Sequence, residues 1–147
     1  MLIDFEKAFD SVAWPFLMEV LQRAGVGPRF LCYVGVLYCQ PMAQVRVNCV
    51  LSAPFAICRG TCRGCPVSPL LFVLAIGPLA VWICSDAQVW GFDWGLALED
   101  SIALYADDVL LFMAHPSLTG PRLLAIFTVY GQALGMCANW PKSLPVP

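Results

Sequence analysis

Charged residues are scarce in this chain of 147 residues, and their scarcity restricts what the chain can bind. Asp, Glu, Lys and Arg together make up 12% of the residues, against 60% for hydrophobic residues, and the mean hydropathy is +0.76. Eight basic residues stand against ten acidic ones, so the net charge is −2. A general basic surface for nucleic acid is therefore excluded, and any such function depends on a local site. With so little charge, the folded chain is expected to expose apolar patches.

Histidine and a secretion signal are lacking as well. His115 is the only histidine, so Cys62 and Cys65, with Cys58 upstream, have no further ligand at the spacing of a zinc site, and we expect no zinc. Most of the eight cysteines lie in apolar stretches, where a free thiol behaves as a small hydrophobe. The first residues lack the basic and then apolar segments of a signal peptide, which indicates an intracellular protein.

Charge is absent altogether from residues 65–85. Roughly 20 apolar residues suffice to cross a bilayer, so this segment is long enough for a single membrane span. Prolines and a glycine interrupt it, at Pro66, Pro69, Gly77 and Pro78. These residues favour a buried helix of a soluble domain. A helix of this length without charge is rare in a soluble core, so the membrane span stays open as the strongest alternative at this point.

The hydropathy pattern predicts an α+β fold with a single domain over residues 1–147. Strands occur as hairpins instead of alternating with helices, which favours an antiparallel sheet with helices packed on one face. Ser11 is a candidate N-cap for the first long helix, and Ser117 or Thr119 for the last. The expected elements, in order, are a strand over 1–5, helices over 15–24 and 28–38, a half-buried strand over 42–48 paired with 50–57, a loop over 59–69, a buried helix over 70–84, a connection over 89–95, a hairpin around Asp107 and Asp108, a loop over 116–120, a helix over 122–134 ended by Gly135, and a strand or tail over 139–147.

Two adjacent carboxylates, Asp107 and Asp108, interrupt an apolar run. Ionised carboxylates near a core need compensation, and no Lys or Arg lies between Arg63 and Arg122. A bound divalent metal would supply it, although a solvated Asp-Asp turn also fits the dipeptide alone. An antiparallel sheet can bring Asp4, at the end of the first strand, to the same edge. Such carboxylates suit Mg²⁺, and two ions ~4 Å apart support in-line phosphoryl displacement.

Four motifs follow one another along the chain. They are DFEKAFDSV over 4–12, RGTCRGCPVSPLLF over 59–72, YADD over 105–108 and NWPKS over 139–143. With these motifs, essentially the whole chain resembles the palm region of a reverse transcriptase from a LINE-type (non-LTR) retrotransposon. The resemblance implies an RNA-directed DNA polymerase that uses two-metal nucleotidyl transfer. It also implies an incomplete palm, from which the fingers and thumb are largely absent.

The resemblance further implies roles for individual residues and the partners of the site. The implied partners are an RNA template, a DNA primer and deoxynucleoside triphosphates, with two Mg²⁺ ions as cofactors. The implied residues are Asp4, Asp107 and Asp108 as catalytic metal ligands, the carbonyl of Phe5 as a backbone ligand, Phe9 as a steric gate against the ribose 2′-OH, Arg63, Gly64 and Lys142 at the nucleotide, and Tyr105 and Ala106 near the primer end. A core position for Phe9 and an ordinary surface position for Lys142 are the simpler alternatives.

Several positions depart from the family pattern. Cys62 and Arg63 replace an Arg and a Gln of the family loop, Gly77 stands where related elements often have Glu, and Cys49 where they often have Gly. With few basic residues to hold a phosphate backbone, we expect the isolated chain to be inactive. The alternative function is that of a non-catalytic retrotransposon relic or an apolar interaction module. The resemblance places residues 65–85 in a helix of a soluble palm, so we expect no membrane contact, and a membrane protein anchored through 65–85 ranks last.

Overall fold

The computed structural model describes residues 1–62, 64–93, 95 and 99–143. The helices of this part are α1 (Ala8–Ser11), α2 (Trp14–Arg23), α3 (Pro28–Leu37), α4 (Ser68–Ser85) and α5 (Pro116–Leu134). Its strands are β1 (Leu2–Ile3), β2 (Phe5–Glu6), β3 (Met42–Ala43), β4 (Arg46–Val47), β5 (Val50–Leu51), β6 (Phe55–Ala56), β7 (Phe92–Asp93), β8 (Glu99–Asp100), β9 (Ile102–Tyr105), β10 (Asp108–Leu111) and β11 (Cys137–Ala138). The predicted α+β class is confirmed.

The strands pair antiparallel, but they form several small sheets where one sheet was predicted. The central sheet has three strands in the order β1-β10-β9, and the other pairs are β2 with β11, β3 with β6, β4 with β5, and β7 with β8. The predicted first strand over 1–5 is divided because Asp4 belongs to neither half. The β7–β8 pair was not predicted, and residues 94 and 96–98 of the connection between these strands lie outside the described residues.

The core lies between one face of the central sheet and the long helices. Ile3, Val109 and Leu111 are buried on that face, on adjacent strands of the sheet. Helix α4 packs against β9, α2 and α5. Alternation along each strand sends the neighbouring side chains of β1 and β10 to the opposite face. The sheet therefore has a core face and an outer face.

Helix α4 is the long apolar helix that the sequence predicts. Among the described residues it is the one helix that is long and apolar enough to cross a membrane. Core helices of soluble proteins also reach this length and hydropathy. Its buried residues recur three or four positions apart, at Ser68, Leu71, Phe72, Ala75, Ile76, Leu79 and Ile83. This spacing places one face of the helix in the core.

Three predictions about local structure are wrong. The segment predicted as a half-buried strand over 42–48 forms two short strands, and Val45 and Val47 are 52% and 61% exposed, because β3 and β4 pair with β6 and β5 in small sheets separate from the central sheet. The predicted loop over 116–120 is the first turn of α5, since Pro116 suits the start of a helix. Neither Ser117 nor Thr119 is its N-cap, and Ser11 ends α1 instead of capping α2.

Apolar side chains also cover much of the surface, as the low charge predicts. Large hydrophobic residues more than two-fifths exposed occur on α3, on the hairpins over 42–56 and on α4, with Val50 the most exposed of these at 72%. A groove beside α4, about 850 Å³ in volume, lies between this helix and α2. The predicted apolar patches are therefore confirmed.

Replacing Phe72 should destabilise the fold strongly. Its ring is fully buried and stacks on Phe9 at 4.4 Å between centroids, so Phe72→Ala should lower the free energy of unfolding by ~3–5 kcal/mol. Val81 lies on the same helix but is 69% exposed, and Val81→Ala should cost about 0.5 kcal/mol or less. Urea denaturation measures both values, and equal losses would contradict this description of the core.

Candidate active site

Asp4 lies where the first strand passes from one sheet to another. Ile3, before it, pairs with Val109 of β10, and Phe5, after it, pairs with Ala138 of β11. The Asp4 carbonyl accepts a hydrogen bond from the Asn139 N–H at 2.8 Å, and this bond holds the chain beside β11. Asp4 is therefore fixed on both sides by backbone pairing.

The central sheet places Asp4 and Asp108 at the same end of one strand pair. Ile3 and Val109 are the last residues that pair between β1 and β10, so Asp4 follows this pair on one strand and Asp108 precedes it on the other. The chain leaves β10 at Asp4, and the next residue, Phe5, pairs with β11. Asp108 also pairs with Tyr105 of β9. Because Ile3 and Val109 point into the core, these three residues project from the outer face.

The hairpin turn consists of Ala106 and Asp107. Asp108 was predicted to share this turn, but it is the first residue of β10. Ala106 has φ = 53°, and positive φ at the first loop residue is the pattern of a type II′ hairpin turn, usually occupied by Gly. Asp107 is half-buried, whereas the Tyr105 side chain is 83% exposed. The turn therefore separates the half-buried Asp107 from Asp108, which is the exposed first residue of β10.

The turn over 139–143 folds back onto Asp4. Asn139 Nδ2 donates to Asp4 Oδ2 at 3.4 Å, and the Asp4 N–H donates to Ser143 Oγ at 3.4 Å. Lys142 lies in the same turn, with its N–H bonded to the Asn139 carbonyl and its side chain exposed. Asn139 and Ser143 were not predicted as site residues, although the NWPKS motif contains both.

The two phenylalanines after Asp4 occupy different surroundings. Phe5 is buried and its ring lies 6.0 Å from that of Phe127. The Asp4 carbonyl accepts from Asn139, the residue after β11, and successive carbonyls of a strand point to opposite sides, so the Phe5 carbonyl points away from β11. Phe9 is half-buried, because Phe72 covers one face of its ring.

A second group forms where α1 meets the loop that precedes α4. The Gly60 N–H bonds to the Val12 carbonyl at 2.8 Å, and the Thr61 N–H bonds to the Phe9 carbonyl at 2.7 Å. Gly60 has φ = 93°, and a Cβ there would lie 2.7 Å from the carbonyl oxygen of Asp10. Only glycine fits this close approach. The first two motifs are thereby joined through their backbones.

The rest of this loop includes Cys62 and Arg63, two of the positions that depart from the family pattern. Gly64 is exposed, has φ = 82°, and has no atom within 4 Å of the place where a Cβ would stand. Arg63, predicted at the nucleotide, lies outside the described residues. Beside the loop is a cavity of about 270 Å³, lined by Asp10, Trp14, Tyr38 and Arg59 among others. The loop predicted over 59–69 is confirmed for its described residues up to Val67, and α4 begins at Ser68.

The donor set around Asp4 suits a hard divalent metal better than a soft one. Asp4, Asp107, Asp108 and the Phe5 carbonyl offer only oxygen atoms, which Mg²⁺ prefers. Within residues 1–62, 64–93, 95 and 99–143, however, no three carboxylate, thiol or imidazole groups converge closely enough to hold an ion. Mg²⁺ is commonly held by one or two carboxylates together with substrate phosphates, so these oxygens suit an ion that a bound nucleotide helps to hold.

Comparisons with known proteins bear on this arrangement. A family model described as "Reverse transcriptase (RNA-dependent DNA polymerase)" matches residues 1–146. The transposon TX1 uncharacterized 149 kDa protein of Xenopus laevis is 34% identical over 96% of this chain and 11% of its own length. A Pol polyprotein from the retrotransposable element R2 of Popillia japonica is 29% identical over 98% of this chain and 20% of its own. The chain thus spans a fifth or less of these relatives.

Alanine substitutions at Gly60 and Gly64 separate two effects: the close approach of the loop to Asp10, and the strain of a left-handed backbone conformation. Gly64→Ala adds only the cost of a left-handed conformation, ~1–2 kcal/mol, because nothing lies near its Cβ position. Gly60→Ala adds the overlap with Asp10 and should cost a further ~1–3 kcal/mol. Urea unfolding of the two variants gives the difference, and equal values would refute the tight contact between loop and α1.

Cys65 should react with iodoacetamide at a lower pH in the folded protein than in the unfolded chain. The N–H of Val67, helped by the hydroxyl and N–H of Ser68, lowers the pKa of the Cys65 thiol against the opposing effect of burial. The lowered pKa raises the thiolate fraction at any pH below the ordinary value, and the thiolate is the reacting form. The neighbouring Tyr38 stays neutral in this range because burial raises its pKa.

The labelling rate of Cys65, followed by peptide mass spectrometry against pH, measures this shift. Ser68→Ala removes one of the stabilising hydrogen bonds and should move the midpoint upward. Identical midpoints for native and urea-unfolded protein would contradict the assignment.

Proposed function

The chain belongs to the reverse transcriptase family, among proteins of LINE-type retrotransposons, and on that premise we propose that it carries the aspartates at which an RNA-directed DNA polymerase joins nucleotides. The family acts on a nucleic-acid template and nucleotide substrates, and it generally uses a divalent metal. We assign residues 1–147 to one palm-like domain. The observation that supports the proposal is that Asp4 and Asp108 directly follow and precede the Ile3–Val109 pair, at the same end of the central sheet.

Asp4 and Asp108 are the first candidates to hold Mg²⁺. Asp107, in the adjacent turn, is the next candidate ligand. The carbonyl of Phe5 points away from β11 and is available as a further oxygen ligand. Two bound Mg²⁺ ions would stabilise charge on the attacking and leaving oxygens of nucleotidyl transfer. Asn139 Nδ2 donates to one Asp4 oxygen at 3.4 Å and so orients the carboxylate, which has other lone pairs for a ligand.

The remaining roles concern the nucleotide and the primer. Phe9 keeps part of its ring uncovered while Phe72 holds the other face, which suits a rigid steric gate against a ribose 2′-OH. Lys142 is exposed on the turn that contacts Asp4, where an ammonium group would attract a triphosphate. Gly64 and Arg63 would approach the base pair through the loop. Tyr105 and Ala106, on the exposed hairpin end, would approach the primer.

An RNA template and a DNA primer are the proposed nucleic-acid partners. Phosphate contacts to Lys and Arg supply much of nucleic-acid affinity, and this chain has eight such residues. Two of them are engaged with acidic side chains: Arg23 with Glu19 at 2.9 Å, and Arg122 with Asp86 at 2.7 Å. We therefore expect this chain to bind a nucleotide, but to bind a nucleic-acid duplex only weakly.

Binding of a deoxynucleoside triphosphate in the presence of Mg²⁺ tests the metal-binding aspartates. Asp4→Asn should weaken Mg²⁺-dependent binding about tenfold or more, because contacts to charged groups contribute ~1.5–3 kcal/mol. Asp100, an exposed carboxylate of β8, provides the matched control with the same change of charge. Calorimetry should find Asp100→Asn unchanged. Equal affinities for unmodified chain and Asp4→Asn would favour the non-catalytic relic.

Primer extension on an RNA template with Mg²⁺ tests catalysis itself. Since the chain has few cations for a phosphate backbone, we expect no extension from it alone. Extension by the unmodified chain that Asp107→Asn abolishes would overturn this expectation and establish the chain as an active polymerase. The Asp100→Asn variant serves again as the control for a general loss of charge.

A further inference from the structure

Cys62 and Cys65 form the two ends of one reverse turn. The Cys65 N–H donates to the Cys62 carbonyl at 3.3 Å. A hydrogen-bonded turn of four residues holds its end Cα atoms within about 7 Å, and disulfides span Cα distances of about 4.4–6.8 Å. Gly64, with φ = 82°, has the conformation of the third residue in a type II turn. The backbone therefore brings the two cysteines within the range of a disulfide.

The first turn of α4 holds both cysteines through their backbone carbonyls. Ser68 Oγ donates to the Cys62 carbonyl at 2.7 Å, and the Ser68 N–H donates to the Cys65 carbonyl at 3.1 Å. Cys62 also lines the cavity beside the loop together with Tyr38. Both ends of the turn are thereby fixed to the start of the helix.

Both thiols are open to a reagent in solution. All eight cysteines lie in the described part of the chain and are free, and none is fully buried, although their apolar surroundings favoured buried positions. Cys62 is exposed, and Cys65 is partly exposed. The Val67 N–H favours the thiolate of Cys65, which is the form that attacks a disulfide. Cys65 is thus suited to react first and Cys62 to resolve the product.

We propose that Cys62 and Cys65 are a dithiol site that forms a reversible intramolecular disulfide by exchange with a glutathione-type disulfide. The Cys65 thiolate attacks one sulfur of the oxidised glutathione, and one glutathione leaves as a thiolate. Cys62 then loses its proton and attacks the Cys65 sulfur of the mixed disulfide, which expels the second glutathione. Two protein thiols are oxidised and one glutathione disulfide is reduced to two glutathiones. This chemistry does not depend on the proposed nucleotidyl transfer.

Trypsin provides a direct test, because Arg63 lies between the two cysteines. Cleavage after Arg59, Arg63 and Arg122 separates peptide 60–63, which contains Cys62, from peptide 64–122, which contains Cys65 and Cys84. The native chain is equilibrated with oxidised glutathione, its remaining thiols are alkylated, and it is digested without reduction. We expect peptides 60–63 and 64–122 to be covalently linked and to separate after treatment with dithiothreitol.

Two variants identify the sulfur that pairs with Cys62. Cys65→Ser should abolish the linked peptides, whereas Cys84→Ser, which changes an exposed thiol of α4, should retain them. Circular dichroism checks that both variants fold. The proposal is overturned if the unmodified chain gives no linked peptides, if the link persists in Cys65→Ser, or if it disappears in a folded Cys84→Ser protein.

Discussion

The hydrogen bond from the Asn139 N–H to the Asp4 carbonyl is the interaction on which the candidate site depends. It draws the chain away from β10 after Ile3 and starts the pairing of Phe5 with Ala138. Asp4 is thereby held at the boundary of two sheets, directly after the residue that pairs with Val109 and in contact with the turn over 139–143. A continuous strand over 1–5 would keep Asp4 in a ladder with β10 and would leave this turn without its attachment.

Backbone contacts also connect the site to the rest of the fold. The Ala13 N–H bonds to the Leu134 carbonyl at 2.8 Å, which ties the segment after α1 to the end of α5. Gly60 and Thr61 join that segment to the loop before α4. The four sequence motifs are consequently held by main-chain groups, so substitutions such as Cys62 and Cys49 alter the loops without removing these bonds. A family fold can persist in this way while the chemistry of its loops changes.

Sequence reasoning succeeded where the signal is local or belongs to a motif. The uncharged apolar run predicts the buried helix α4, and the apolar runs on both sides of Asp107 predict the β9–β10 hairpin. It failed where a distant partner decides the structure. The division of the first strand depends on Asn139, 135 positions away, and no periodicity within residues 1–5 reveals it. Residues 116–120 were predicted as a loop, but the packing of Leu123, Ile126 and Phe127 in the core extends α5 back to Pro116.

The central claim is that Asp4 and the YADD aspartates form one metal-binding site, although they are about a hundred positions apart in the chain. Paramagnetic broadening by Mn²⁺, followed at the backbone amides by NMR, tests it most directly. The account predicts that the amides of Asp4, Asp107, Asp108 and Asn139 broaden first and together, and that Asp4→Asn weakens the broadening at the hairpin. Broadening of the hairpin that is indifferent to Asp4→Asn, or that is centred on another group of carboxylates, would contradict it.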